Sequence, residues 1–316
     1  MGACGNGAFY AIDRQTGEVR WKHETAAAGE FQSFHTAMVV AGDLVIVGND
    51  GLTGSIYAFD RRSGDVRWKY DAGANGAGLD LLLAGTRVCT VTSDEGLIAL
   101  DVTTGRLAWR YSVKPASYAS PATDGKRIYV AAVDGVVHAV SADNGSLVWK
   151  RQLAGTPSNT IIAKSGSLYV GTSSTGWDDP WDVSGRGTHA LHRLDAARGE
   201  MLGSLKLPAK PLGQGAVAGK IIVLFAGGDL LAADQNLTRI RWRIAAPTQN
   251  QNPRLQVRGD TAYIGVNPRQ FMAVNIHDGS IRSRHPAEGM ITTFLVDDQM
   301  IVLGANQKLW AYRAGK

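Results

Sequence analysis

The stretch SIYAFDRRSGDVRWKYD, residues 55–71, carries the pattern on which the fold turns. Its first part, SIYAFD, is short, rich in aliphatic and aromatic residues and closed by a polar turn, as strands are. DRRSG follows. Asp60 is suited to bond the next backbone amides, and Gly64 supplies the positive φ that closes such a hairpin. DVRWKYD then reads as the returning strand, with Trp68 at its centre.

Copies of this hairpin run the length of the chain. The SIYAFD segment recurs as AFYAID (8–13), GLIALD (96–101), VVHAVS (136–141), ALHRLD (190–195), DLLAAD (229–234), QFMAVN (270–275) and KLWAYR (308–313). The DVRWKYD segment recurs as EVRWKHE (18–24), RLAWRYS (106–112), SLVWKRQ (146–152), EMLGSLK (200–206), RIRWRIA (239–245) and SIRSRHP (280–286). Trp21, Trp68, Trp109, Trp149 and Trp242 hold one register, where the remaining copies have Gly203 and Ser283. Ahead of each hairpin lie two more apolar runs, such as TAMVVAG (36–42) and DLVIVGN (43–49). No window has convincing helical periodicity. Four strands recurring roughly every 40 residues are the mark of a propeller blade.

The expected fold is therefore all-β: a single β-propeller domain over residues 1–316, built of four-stranded antiparallel blades. Copies of the third strand outnumber those of the other three by one. We expect seven blades, with the chain ends meeting in a shared blade whose MITTFLVD, MIVLG and KLWAYR strands are completed near EVRWKHE. Eight blades are the alternative. Ring closure would remove exposed sheet edges.

Composition agrees with this reading and narrows the rest. Apolar residues make up 44% and charged residues 19%, a foldable balance that excludes a disordered chain. The 38 glycines find use in the hairpins, and two cysteines cannot form a disulfide scaffold. No apolar run is long enough for a membrane-spanning helix. The net charge of +5 falls largely on the fourth strands, from Arg20 and Lys22 to Arg282 and Arg284. Cations there discourage sheet-to-sheet aggregation, which weakens the case for a nucleic-acid footprint.

The pattern A-x-D-x-x-T-G-x-x-x-W resembles the tryptophan-docking repeat of the pyrroloquinoline-quinone (PQQ)-like propellers, a family that includes the assembly lipoprotein BamB and the quinoprotein alcohol dehydrogenases. The resemblance implies that the five tryptophans pack between blades. It also implies a periplasmic or cell-envelope location, with the cytoplasm as alternative. Blades of this kind serve enzymes and scaffolds alike. The quinoproteins of the family are much longer and carry an adjacent cysteine pair, whereas Cys4 and Cys89 are remote here.

Antiparallel order places the D-x-x-T-G turns and the short first-to-second turns at one end of each blade. The longer connections gather at the other end, where binding usually resides. Foremost is SSTGWDDPWDVSGRG (173–187), with Trp177 and Trp181 among Asp178, Asp179 and Asp182. This loop is the candidate site for a partner or planar ligand. Its carboxylates do not have the spacing of an EF-hand, and no metal is assigned. Aligned first strands place His35, Asp80, Tyr118, Ser120, Asn159, Gln214, Asn252 and Arg254 at the channel mouth. This polar set suits a small ligand or water.

No catalytic constellation is evident: no phosphate loop, no His-Glu-x-x-His and no nucleophile elbow. The leading expectation is a non-catalytic scaffold that binds a protein partner, with no cofactor. The alternatives are a PQQ-binding quinoprotein using Ca²⁺, as sensor or small dehydrogenase, and a nucleic-acid-associated propeller using its basic rim.

Overall fold

A computed structural model describes residues 2–3, 8–24, 32–33, 37–51, 54–73, 79–93, 95–114, 119–175, 186–247, 253–266, 269–289, 291–305 and 308–313. No helix occurs among them, so none is long and apolar enough to cross a membrane. The strands form antiparallel sheets in simple up-and-down order. This is the expected fold class, an all-β propeller of four-stranded antiparallel blades.

The chain comprises two compact units, Met1–Lys150 and Arg151–Lys316. The first begins with a three-stranded sheet of Gly2–Ala3, Ala8–Ile12 and Val19–Glu24. A second sheet follows, of Val39–Ala41, Leu44–Gly48, Gly54–Asp60 and Val66–Gly73. The third holds Leu82–Ala84, Arg87–Thr92, Gly96–Asp101 and Leu107–Tyr111. The fourth holds Ala122–Thr123, Arg127–Ala131, Val136–Ser141 and Leu147–Gln152.

In the other unit the fifth sheet is Thr156–Lys164, Ser167–Ser173, His189–Asp195 and Met201–Leu207. The sixth is Pro211–Ala218, Ile221–Ala226, Asp229–Asp234 and Ile240–Ala245. The seventh is Leu255–Arg258, Thr261–Val266, Gln270–Asn275 and Ile281–Pro286. A carboxy-terminal sheet of Ile291–Val296, Met300–Ala305 and Lys308–Arg313 completes it.

Counted along the chain, seven four-strand repeats run from Val19–Glu24 to Lys308–Arg313, in keeping with the seven periods of the sequence. In space they make six four-stranded sheets and a three-stranded sheet from each chain end, because repeat and sheet are offset by one strand. The pairings assign EVRWKHE differently from the expectation. Val19–Glu24 is the hairpin mate of Ala8–Ile12, with Ala8 opposite Glu24 and Ala11 opposite Trp21. The carboxy-terminal sheet holds only its own three strands among the described residues. The tight turn between Ala8–Ile12 and Val19–Glu24 makes the local partner the nearest one.

Each hairpin closes as its sequence dictates. Asp60 Oδ1 accepts the amides of Arg62 and Ser63 at 2.9 and 3.1 Å, and Gly64 N–H returns to the Asp60 carbonyl at 2.9 Å. Asp13, Asp101 and Asp195 repeat the bonds to the second and third following amides. Gly64 has φ +82°, in the left-handed region where a Cβ is strained.

Cores form between consecutive sheets. Phe9, Trp21, Val45, Tyr57 and Phe59 join the amino-terminal and second sheets. Ile46, Trp68, Val88 and Leu100 join the second and third, and Cys89, Trp109, Val130 and Val140 the third and fourth. In the other unit Tyr169, Leu191, Leu224 and Leu231 join the fifth and sixth sheets, and Val223, Leu230, Ile264 and Met272 the sixth and seventh.

Candidate functional site

The tryptophans do more than fill these cores. Trp21 Nε1 donates to the Arg61 carbonyl, Trp68 to Val102, Trp109 to Ala142 and Trp242 to Ile276, at 2.8–3.2 Å. Each acceptor is the residue after the first position of the next sheet's turn. Each indole also lies on that turn's last glycine. A Cβ on Gly64, Gly105, Gly145 or Gly279 would fall within 3.0 Å of the respective Trp21, Trp68, Trp109 or Trp242 ring. Turn and tryptophan are therefore one lock, which anchors one blade on the next.

The fifth sheet solves the same problem without tryptophan. Gly203 occupies the register, opposite Arg193. Tyr169 Oη instead donates to the Gln235 carbonyl at 3.0 Å, the same position in the next turn. Arg193 Nη1 reaches Asn236 Oδ1 at 2.6 Å. Sequence reasoning missed both residues. The signal for them was the glycine itself, together with a tyrosine in the neighbouring second strand.

At the opposite end of the sheets lie the long connections. Of these connections, residues 79–81, 174–175, 186–188, 246–247 and 253–254 are described, each at that end of its own sheet. The linker and loop that pair as a short ribbon, Gln32–Ser33 with Asp50–Gly51, lie there too. Trp177, Asp178, Asp179, Trp181 and Asp182 lie outside the described residues. The root of their loop is firmly tied. Ser174 N–H donates to the Thr188 carbonyl at 2.9 Å, and Thr188 N–H to Ser174 Oγ at 2.8 Å. Ser173 Oγ contacts Thr175 Oγ1 at 2.8 Å and His189 Nδ1 at 3.0 Å. Ser173 and His189 are both buried, and His189 Nε2 is buried without a hydrogen-bond partner.

Of the proposed channel-mouth residues, His35, Tyr118 and Asn252 lie outside the described residues. Asp80 and Ser120 serve as clasps between sheets. Asp80 Oδ1 accepts the Ala37 amide at 2.7 Å, and Asp80 N–H donates to Ser120 Oγ at 3.3 Å. Ser120 is buried. Thr160 Oγ1 makes a comparable link to the Gly213 carbonyl at 2.7 Å. Asn159 has a buried Oδ1 without a partner, while Gln214 and Arg254 are exposed.

Titratable groups follow their surroundings. Burial holds His23, His138 and His192 below the ordinary histidine range. His138 Nδ1 meets Tyr111 Oη at 3.0 Å, and His192 lies between Thr172 Oγ1 and Ser204 Oγ. Burial pushes the Cys89 thiol up to about 12, so it stays protonated and behaves as a small apolar side chain. Among the described residues no three His, Cys, Asp or Glu are grouped to hold a metal ion. Asp80, the carboxylate among the channel-mouth residues, already has an oxygen engaged by Ala37.

Several cations of the outer strands have an acidic partner close by. Arg20 pairs with Asp13, Lys22 with Glu24 and Arg243 with Asp229. Arg67 lies 3.9 Å from Asp60, and Arg110 3.6 Å from Glu95.

Comparisons with known proteins agree with this architecture. A family described as outer membrane protein assembly factor BamB matches residues 52–176. Among solved structures the chain is similar to BamB from Moraxella catarrhalis, with 18% identity and a TM-score of 0.73 over 98% of this chain and 91% of that one. It is also similar to the computationally designed Ika8 protein, with 14% identity and a TM-score of 0.78 over the same shares of the two chains. No curated protein matches the chain. The likeness to a PQQ-like, BamB-like propeller read from the repeats thus has independent support. At these identities the solved structures speak to fold.

Proposed function

We propose that the protein is a non-catalytic propeller scaffold that binds a protein partner through the long connections, with the loop around Trp177 and Trp181 as its main contact. The observation that carries this reading is the division of connections. In the six four-stranded sheets the third-to-fourth and first-to-second turns are tight, and the longer connections join the other end. Rigid sheets that hold variable loops at one end are a usual platform for recognition. The match of residues 52–176 to an assembly factor supports a partner that is a protein, and a place of work in the cell envelope.

Exposed aromatic side chains in a loop supply large contact area at low entropic cost, which is why such residues dominate interfaces. The joint variant Trp177→Ala, Trp181→Ala tests this. We expect it to unfold at the same denaturant concentration as the parent. It should recover far less of any partner cross-linked to the parent in an envelope extract. Equal recovery would overturn the loop as the contact. In the same preparation, added PQQ with Ca²⁺ should leave absorbance and melting temperature unchanged. A melting shift that saturates with PQQ would favour the quinoprotein reading instead.

A further inference from the structure

We infer that the outer edge of the fifth sheet, around Asp195, Met201 and Leu202, docks an extended segment of another polypeptide in which a basic side chain is flanked by aliphatic ones. The inference does not depend on the loop proposed above. It comes from comparing outer strands that are otherwise built alike.

In Val19–Glu24 and Val66–Gly73 the pairing shifts by one residue just before the tryptophan. Ala11 faces Trp21 and Ile12 faces Val19; Ala58 faces Trp68 and Phe59 faces Val66. The residue left unpaired in each bulge is an arginine, Arg20 or Arg67. Each turns to the aspartate of its own turn, Asp13 or Asp60. Bulge and charge together blunt an open sheet edge.

Met201–Leu207 has the same bulge, since Arg193 faces Gly203 and Leu194 faces Met201. The unpaired residue here is Leu202. It is 47% exposed, beside Met201 at 39%. The aspartate has nevertheless been kept. Asp195 Oδ1 accepts the amides of Ala197 and Arg198 at 2.9 and 2.8 Å, as Asp13 Oδ1 does in its own turn. Among the described residues Asp195 has no ion pair, and its Oδ2 accepts no hydrogen bond. Arg198 gives it only a backbone N–H. Asp234 in the next sheet also lacks an ion pair, but Asn236, Thr238 and Arg239 occupy both its oxygens.

The fifth sheet thus presents half of a pair that Val19–Glu24 and Val66–Gly73 complete with their own arginines. A partner's arginine or lysine supplies the missing cation, and its aliphatic neighbours cover Met201 and Leu202. Glu200, exposed in the same turn, adds to the negative end, and exposed Lys206 lies at the far end. Beyond the bulge, Gly203 to Leu207 pair regularly with Arg193 to His189, and the strand ends its sheet. Its outward backbone groups form a regular edge for strand addition.

The test uses a short blocked peptide of alternating valine and threonine around one arginine, with fluorescence anisotropy on the full chain. We expect saturable binding that weakens with salt. Leu202→Arg, which installs the sister-strand residue, and Asp195→Asn, which keeps the turn bonds as Asn275 does, should each bind about tenfold more weakly. The Trp177→Ala, Trp181→Ala variant should bind normally, so failure here and failure of the loop reading are distinguishable. No binding by the parent, equal binding by both variants, or equal binding of a glutamate-for-arginine peptide would overturn the proposal. So would a parent that dimerises in sedimentation while Leu202→Arg stays monomeric, because the occupant would then be a second copy of this chain.

Discussion

Trp109 illustrates how much a single side chain does in this architecture. It is buried to 9% exposure, donates to the Ala142 carbonyl at 3.1 Å and covers Gly145. Truncation to alanine removes both a large apolar surface and an inter-sheet hydrogen bond. We expect a loss of about 3–5 kcal/mol in urea unfolding; a loss near zero would refute the lock. The histidines act through protons instead. Burial holds His23, His138 and His192 below the usual 6.5. As pH falls from neutrality, the unfolded chain takes up these protons first. Stability is therefore full above the unfolded value and falls as pH drops toward the folded ones. Urea midpoints at neutral pH should exceed those at about pH 5, below the unfolded value, and His192→Gln should flatten the dependence. A flat profile in the parent would contradict the burial of these rings. The carboxylates of Asp13, Asp60 and Asp101, lowered by their turn bonds, act only in more acidic solution.

At the scale of the element, the hairpin is legible in the sequence itself. SIYAFD, DRRSG and DVRWKYD are a strand, an Asx turn with left-handed glycine and a strand, each from local chemistry alone. What local chemistry left unread was the substitute for a missing tryptophan. Tyr169 is 66 residues from Gln235, and nothing near Gly203 announces their contact. Tyr169→Phe keeps the ring and removes the hydroxyl donor. It should destabilise by about 1 kcal/mol, more if the Gln235 carbonyl stays dry. A stability equal to the parent's would show that Arg193 alone holds that turn. The bulge before Trp21, Trp68, Trp109 and Trp242 was equally hidden, because alternation in sequence does not reveal which residue a partner strand skips.

For the whole molecule, repeat spacing carried the fold class and the number of four-strand repeats. It carried less about the site. The channel-mouth alignment gathered Asp80 and Ser120 with residues of similar polarity, yet hydrogen bonds between sheets engage both. Polarity in sequence does not distinguish a side chain that meets solvent from one that bonds a neighbouring blade. The mild positive charge reads differently too. Arg20, Lys22, Arg67, Arg110 and Arg243 have acidic neighbours, so the cations of these strands alternate with carboxylates instead of forming an unbroken basic stripe.

Taken alone, the amino-acid sequence determined the all-β propeller class, the four-strand period, the hairpin turns and the tryptophan register. All of these rest on interactions within a few residues or on repetition of one local unit. Tertiary structure decided which strand pairs with EVRWKHE, what replaces tryptophan at Gly203, and that among the described residues Asp195 has no ion pair while Asp13 and Asp60 do. Those outcomes depend on which groups meet across a sheet edge or a blade interface, and separation in sequence carries no record of that meeting.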